Sequence, residues 1–247
     1  MEGKIQFINA YGKEETSNLL NPIVKEWFFS KFDDFSDTQL YGVKSIHDRR
    51  NILVSAPTGG TKTLTAFLSI LNYLVELALK NELEDKVYAV YCSALKALTR
   101  DIFKNLIEPL EEINKIAEQE GKKLGEIRIA LRTGDTTAVE RQKQMKKMPH
   151  ILVTTPETLA IVLNAPKFSL GLKAVEFVIV DEIHALANKR GVHLSLSLER
   201  LEEMGKISPV RVGLSATISP LSEIAKFLTG NRDCLIADVE LDKRIDV

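Results

Sequence analysis

The stretch Ala174 to Leu201, AVEFVIVDEIHALANKRGVHLSLSLERL, constrains the fold more than any other part of this chain. Val175, Phe177, Val178, Ile179 and Val180 make a short, nearly unbroken apolar run rich in β-branched residues. A strand of that composition is buried on both faces, as in the centre of a parallel sheet. The run stops abruptly at Asp181, Glu182 and His184. Ligands of open α/β sheets bind at the carboxyl ends of the strands, so this acidic pair stands where chemistry is expected. One carboxylate there can hold Mg²⁺ while its neighbour polarises a water. Taken alone, the pair is more simply a capped strand end followed by a solvated loop. The rest of the chain decides between the two.

A second constellation precedes it. Asn51 to Ser55 read as a short apolar strand, followed by Ala56-Pro57-Thr58-Gly59-Gly60-Thr61-Lys62-Thr63 and then LTAFLSILNYLVELALK, whose apolar residues recur at helical spacing. Strand, Gly-containing loop, Lys-Thr and helix together describe a phosphate cradle, in which backbone N–H groups and the helix start face the phosphates. Lys62 reaches the β and γ phosphates in such a cradle, and the Thr63 hydroxyl binds Mg²⁺. The pattern is imperfect, because Thr61 stands where Gly is usual. A Gly-rich turn that holds no nucleotide is the alternative.

Between and around these motifs the chain alternates strand with helix. The first twenty residues are polar and mixed, and residues 1–35 are set apart as an arm or peripheral helix. Within them, PIVKEWFFSKFDDF (Pro22 to Phe35) gathers Trp27 and four Phe, and is expected as a helix packed on the sheet edge. Ser36 or Asp37 caps a helix carrying Leu40, Val43 and Ile46. On its first turn Gln39 is either an amide that reads an adenine edge or an ordinary surface residue. Val87 to Tyr91 form a strand leading into Cys92 to Arg100, where Lys96 and Arg100 are phosphate-backbone contacts or plain surface cations. The helix after them runs to about Glu118 through Ile102, Leu106, Leu110 and Ile113. Ile127, Ile129 and Leu131 alternate with Arg128, Ala130 and Arg132 in a strand that opens into Thr133-Gly134-Asp135-Thr136. Val139 to Met148 is a basic segment, and a run like this is most often a solvated helix face. Ile151 to Val153 form a strand closing in Thr154-Thr155-Pro156, hydroxyls before a Pro that make a good helix start and a good phosphate contact. Arg211 to Thr217 add a strand, followed by a helix through Ile224 and Phe227 and a strand at Cys234 to Ile236. The expected architecture is one doubly wound α/β domain with a mainly parallel sheet over 36–238, and 239–247 leave it as an exit segment.

Composition narrows the class. With 45% hydrophobic and 27% charged residues, 33 Lys plus Arg and 34 Asp plus Glu, the net charge is −1, so any nucleic-acid contact must come from local loops and helix ends. Cys92 and Cys234 show no disulfide or metal spacing, which fits a reducing compartment. No apolar run is read as reaching the roughly 20 residues of a membrane helix, and no signal-peptide layout opens the chain. A cytoplasmic protein without membrane contact is expected.

The motifs APTGGTKT, SALKALTRD, RTGDT, TTPETL, DEIH and SAT occur in that order. The chain thereby resembles the first RecA-like, P-loop NTPase domain of a superfamily 2 helicase of DExH type. DEIHALANKRGVHLSLSLERL and RTGDTTAVERQKQMKKMPHILVTTPETL resemble the large helicase-related (Lhr) family. The resemblance implies a motor driven by ATP and Mg²⁺. In it, Gln39 recognises adenine, and residues 56–63 (Ala56, Pro57, Thr58, Gly59, Gly60, Thr61, Lys62, Thr63) cradle the nucleotide. Thr63 and Asp181 take Mg²⁺, and Glu182 activates the hydrolytic water. His184, Ser215, Ala216 and Thr217 couple the nucleotide site to the strand-binding face. Lys96, Arg100, Arg132, Thr133, Gly134, Thr154, Thr155 and Pro156 hold a nucleic-acid backbone, single-stranded DNA first and RNA second. It further implies a second RecA-like domain of the same longer chain, whose arginines complete the ATP site. The rival is a nucleic-acid-binding module with a degenerate ATP site, for which Thr61 argues. Another P-loop enzyme, such as a small-molecule kinase, leaves SAT and TTPETL unexplained.

Overall fold

The structure is a computed structural model that describes residues 3–57, 61–93, 102–186 and 189–239. Among them, eight strands form one sheet: β1 (Ile5–Phe7), β2 (Ile52–Ser55), β3 (Ala89–Cys92), β4 (Ile129–Arg132), β5 (Ile151–Thr154), β6 (Phe177–Val180), β7 (Val210–Ser215) and β8 (Cys234–Asp238). Their order is β1-β8-β2-β7-β6-β3-β5-β4, and every pairing is parallel. The strands β2, β3, β5, β6 and β7 are buried at every position, which is why they read as unbroken apolar runs. The edge strands β1 and β4 are partly exposed.

Helices cover both faces. On one face lie α1 (Lys13–Ser17), α2 (Pro22–Lys31), α3 (Asp37–His47), α4 (Thr61–Leu79) and α5 (Glu108–Gln119). At the β4 edge lies α6 (Ala138–Lys146), in which Gln144 is buried. The other face carries α7 (Pro156–Leu163), α8 (Pro166–Leu172), α9 (Lys189–Met204) and α10 (Leu221–Thr229). Alternate strand residues divide between two cores: Ile52, Tyr91 and Ile179 face the first, and Leu53, Val90 and Val178 the second.

Three expectations are corrected. The N-terminal segment adds a strand to the sheet, and α2 shares the main core instead of standing apart at its edge. Asn21 Oδ1 caps α2 through Ile23 N (3.1 Å), and Asn72 on α4 accepts from Asn21 N (2.6 Å). Ile23, Val24, Trp27 and Phe28 are buried, and Trp27 Nε1 donates to Glu112 on α5 (2.8 Å). Ile5 to Phe7, inside a mixed and mostly polar stretch, form a strand because β8 supplies a ready edge, a tertiary cause that their own pattern does not carry. The expected single helix to Glu118 contains a π-helical turn at Phe103–Ile107, where Glu108 N–H bonds Phe103 O; Pro109, which follows, has no N–H to give. Finally, α4 is 19 residues long with a mean hydropathy of 1.3, apolar and long enough to cross a membrane by length and composition. Its apolar residues instead line the first core, and most of the helix is buried inside the protein.

Candidate functional site

The carboxyl ends of β2, β7 and β6 are neighbours, and the first group of predicted residues meets there. Lys62, on the first turn of α4, is 6% exposed, and its Nζ donates to the carbonyls of Ala56 (2.8 Å) and Pro57 (2.9 Å). Burial lowers the pKa of this ammonium, while the charges of Glu182 and Asp181 oppose the shift. Beside it, Thr63 Oγ1 lies 3.5 Å from Asp181 Oδ2, and both residues are buried. Asp181 Oδ1 accepts from Glu182 N (2.8 Å), and Oδ2 also accepts from the Tyr91 hydroxyl on β3. Glu182 itself has φ +51°, a left-handed conformation that L residues with a Cβ adopt at a cost. That turn throws the chain off the end of β6 and into the 3₁₀ turn Ile183–Leu186.

His184 links two strand ends. Ala216 N donates to its Nδ1 (3.1 Å), so the ring proton stands on Nε2, which faces Glu182 Oε2 at 3.2 Å. Ser215 O accepts from Ala56 N (3.2 Å), tying the end of β7 back to the loop after β2, and Ser215 Oγ donates to Ala216 O (2.9 Å). Thr217 is exposed in a cleft shared with Phe7, Ile218 and Ser219. Gln39 is 2% exposed and serves α3 as the far half of a capping box, its Oε1 accepting from Ser36 N (2.8 Å). Thr61 opens α4 with its Oγ1 accepting from Thr38 (3.0 Å), so the starts of α3 and α4 are joined. Thr58, Gly59 and Gly60 lie outside the described residues.

The second group meets at the ends of β3, β5 and β4. Thr154 Oγ1 donates to Arg132 O (2.8 Å), and Thr155 Oγ1 accepts from Thr158 N (3.3 Å) as the N-cap of α7, ahead of Pro156. Both hydroxyls are thus engaged within the protein. Thr136 Oγ1 accepts from Thr133 N (2.8 Å) and folds the loop, whose tip, Gly134, is exposed. Arg132 departs from an open cation: it is 9% exposed, stacks over Phe168 at 4.3 Å and donates to Gln144 (3.2 Å). Burial, and then the charge of Arg141, lower its pKa. Its side chain braces the loop from within. Lys96 and Arg100 lie outside the described residues.

The chemistry of the first group can be read from its donors. A hydroxyl and a carboxylate are hard oxygen ligands of the kind that suit Mg²⁺, which keeps waters and takes one or two carboxylates plus phosphate oxygens. Among the described residues no cluster of three or more His, Cys, Asp and Glu could hold a metal, so an ion at Thr63 and Asp181 needs such outside ligands. A buried ammonium against loop carbonyls is a cation for which a phosphate is a natural partner. Two participants carry no motif signal. Tyr91 reads as one more strand residue and Thr38 as a helix-start residue; only the adjacency of β3 to β6, and of α3 to α4, brings them to the site.

The DEAD/DEAH box helicase family model matches residues 36–226. The ATP-dependent helicase Lhr-Core of Methanocaldococcus jannaschii is 53% identical over 247 residues, 99% of this chain and 29% of that protein. In structure the chain is similar to Mycobacterium smegmatis helicase Lhr bound to ssDNA and AMP-PNP, with a TM-score of 0.84 and 37% identity over 91% of this chain and 28% of that one. It is also similar in fold to the DEAD-box helicase Mss116 bound to ssRNA and UDP-BeF, with a TM-score of 0.77 at 19% identity over 97% of this chain and 48% of that one. The chain thus spans 29% of the length of the first of these relatives.

Proposed function

The chain belongs to the DEAD/DEAH box helicase family, and from that premise we propose that it is the RecA-like, ATP-binding motor domain of an Lhr-type helicase. The observation that carries this reading is the convergence of Lys62, Thr63, Asp181, Glu182 and His184 at three neighbouring strand ends. Lys62 exchanges its loop carbonyls for the β and γ phosphates of ATP. Thr63 and Asp181 would hold Mg²⁺, which would supply positive charge against the phosphates. Glu182 takes a proton from the attacking water. His184, with one nitrogen on Ala216 N and the other toward Glu182, carries the state of the nucleotide to the Ser215-Ala216-Thr217 turn. Gln39 recognises adenine once the nucleotide lies against the starts of α3 and α4.

The strand-binding half comprises Arg132 to Gly134, Thr154 to Pro156, and Lys96 and Arg100. We assign it a nucleic-acid backbone, single-stranded DNA in preference to RNA, in keeping with the ssDNA bound to the similar Mycobacterium smegmatis helicase. Residues 36–238 carry the motor motifs, and the full-length enzyme would add a second RecA-like domain whose arginines stabilise the charge of the transition state. The shared length of 29% with the Lhr-Core relative supports that assignment. Such arginines contribute roughly 10³–10⁵ in rate in related phosphoryl transfer. Cys92 and Cys234 are buried and form no disulfide among the described residues, in keeping with a cytoplasmic setting.

A degenerate ATP site is disfavoured, because Thr61 continues into α4 and Lys62, Thr63 and Asp181 remain together. The test is a pair of variants in the polypeptide that carries both motor domains. Glu182→Gln keeps ATP affinity and abolishes turnover, whereas Lys62→Ala weakens binding itself. Equal losses of affinity in the two variants would show that the roles are misassigned.

A further inference from the structure

Tyr91 is the third residue of β3 and is wholly buried. In the β3–β6 register it pairs with Ile179, two residues before Asp181. Its hydroxyl donates to Asp181 Oδ2, the oxygen that also faces Thr63 Oγ1. Its ring packs on Phe67 of α4, with centroids 5.1 Å apart and planes at 33°. Phe67 lies four residues after Thr63, on the same side of the helix, so the element that carries Thr63 also braces the tyrosine ring. A phenyl ring would fill the same space in the first core, so the hydroxyl is the polar part of this side chain. A buried phenol needs a polar partner, and this one gives its proton to the carboxylate at the end of the neighbouring strand.

We propose that Tyr91 is a positioning residue for the metal site: its hydroxyl on Oδ2, with Glu182 N on Oδ1, holds the Asp181 carboxylate in the rotamer that faces Thr63. The inference rests on the reading of Asp181 and Thr63 as Mg²⁺ ligands. A carboxylate held from both sides enters coordination without first losing rotational freedom. Outer partners of this kind set ligand orientation, and their loss weakens metal affinity by about tenfold or more.

The experiment compares wild type with Tyr91→Phe and Asp181→Asn. Mn²⁺ affinity is read by electron paramagnetic resonance on protein saturated with AMP-PNP, and AMP-PNP affinity is measured separately in EDTA. The phenylalanine keeps the ring on Phe67 and removes only the hydroxyl. The expected result for Tyr91→Phe is Mn²⁺ binding weakened by about tenfold, with metal-free nucleotide affinity within about twofold of wild type. Unchanged Mn²⁺ affinity in Tyr91→Phe beside a clear loss in Asp181→Asn would overturn the inference. An equal fall in metal-free nucleotide affinity would overturn it too, since Tyr91 would then support only the fold. If Asp181→Asn also binds Mn²⁺ like wild type, the ligand reading itself has failed and the inference falls with it.

Discussion

Thr61→Gly tests whether the nucleotide loop is impaired. A β-branched residue is stiff and tolerates positive φ poorly, so a strained Thr61 would be relieved by Gly. The structure removes that source of strain. Thr61 is the first residue of α4, and the described non-glycine residues with positive φ are Arg49, Asn81 and Glu182. What Gly deletes is one hydroxyl that accepts from Thr38 at 3.0 Å. Thr38 keeps other partners, with Ser36 Oγ at 3.0 Å and Thr65 Oγ1 at 3.3 Å, so the lost hydrogen bond costs about 0.5 kcal/mol, the low end of the usual range. The extra backbone freedom of Gly adds about 0.5–1 kcal/mol to the cost of folding. Stability should therefore fall by about 1–1.5 kcal/mol, with the two terms summed. ATP affinity should change by less than about 1.4 kcal/mol, a factor of ten. Urea unfolding gives the first quantity and a fluorescent-nucleotide titration the second. A gain in affinity well beyond tenfold would refute this reasoning and favour the degenerate site.

Two other perturbations have clear signs. His150 is 1% exposed, and burial, followed by the charge of Arg128, holds its pKa at about 4 against the ordinary 6.5. The unfolded chain binds this proton below about pH 6.5 and the folded chain only near 4, so the stabilisation is complete above 6.5 and is lost as pH falls toward 4, to roughly 3 kcal/mol at most. The urea midpoint should drop across that window, and His150→Gln should flatten the drop; an identical slope in the variant would exclude His150 as its source. Affinity for single-stranded DNA should fall only gently with salt, since Arg132 is occupied inside the protein and few phosphates are neutralised; a log–log slope of roughly −2 corresponds to about three phosphates. Strong preference for one sequence over scrambled strands of equal length would contradict backbone recognition.

The legible part of the fold was the buried centre of the sheet. β2, β5 and β6 announce themselves because a strand covered on both faces must be apolar throughout. For the same reason the residues just past those strands could be located on one edge of the sheet from their order in the chain. Features that depend on a distant neighbour were not legible. β1 exists because β8 offers an edge, and the long apolar α4 is explained by a core gathered from elsewhere in the chain. Arg211 read as a plain strand residue, yet its guanidinium is 1% exposed and bonded to Glu199 (2.8 Å) and Glu202 (2.7 Å), acids that Arg232 also pairs with. Arg132 was legible as a cation at a strand end, but its burial against Phe168 on α8 was not. Tyr91 and the left-handed turn at Glu182 follow from strand order and strand ending, which no local pattern encodes.

Calorimetric titration of ATP into the 247-residue chain, with Mg²⁺ and with EDTA, asks whether Lys62, Thr63 and Asp181 form a working site for ATP and Mg²⁺. Binding should be measurable, strengthen with Mg²⁺ and weaken in Lys62→Ala. Phosphate release should be far slower in this chain alone than in a polypeptide that carries both motor domains. Binding that ignores both Mg²⁺ and the loss of Lys62 would rule this site out.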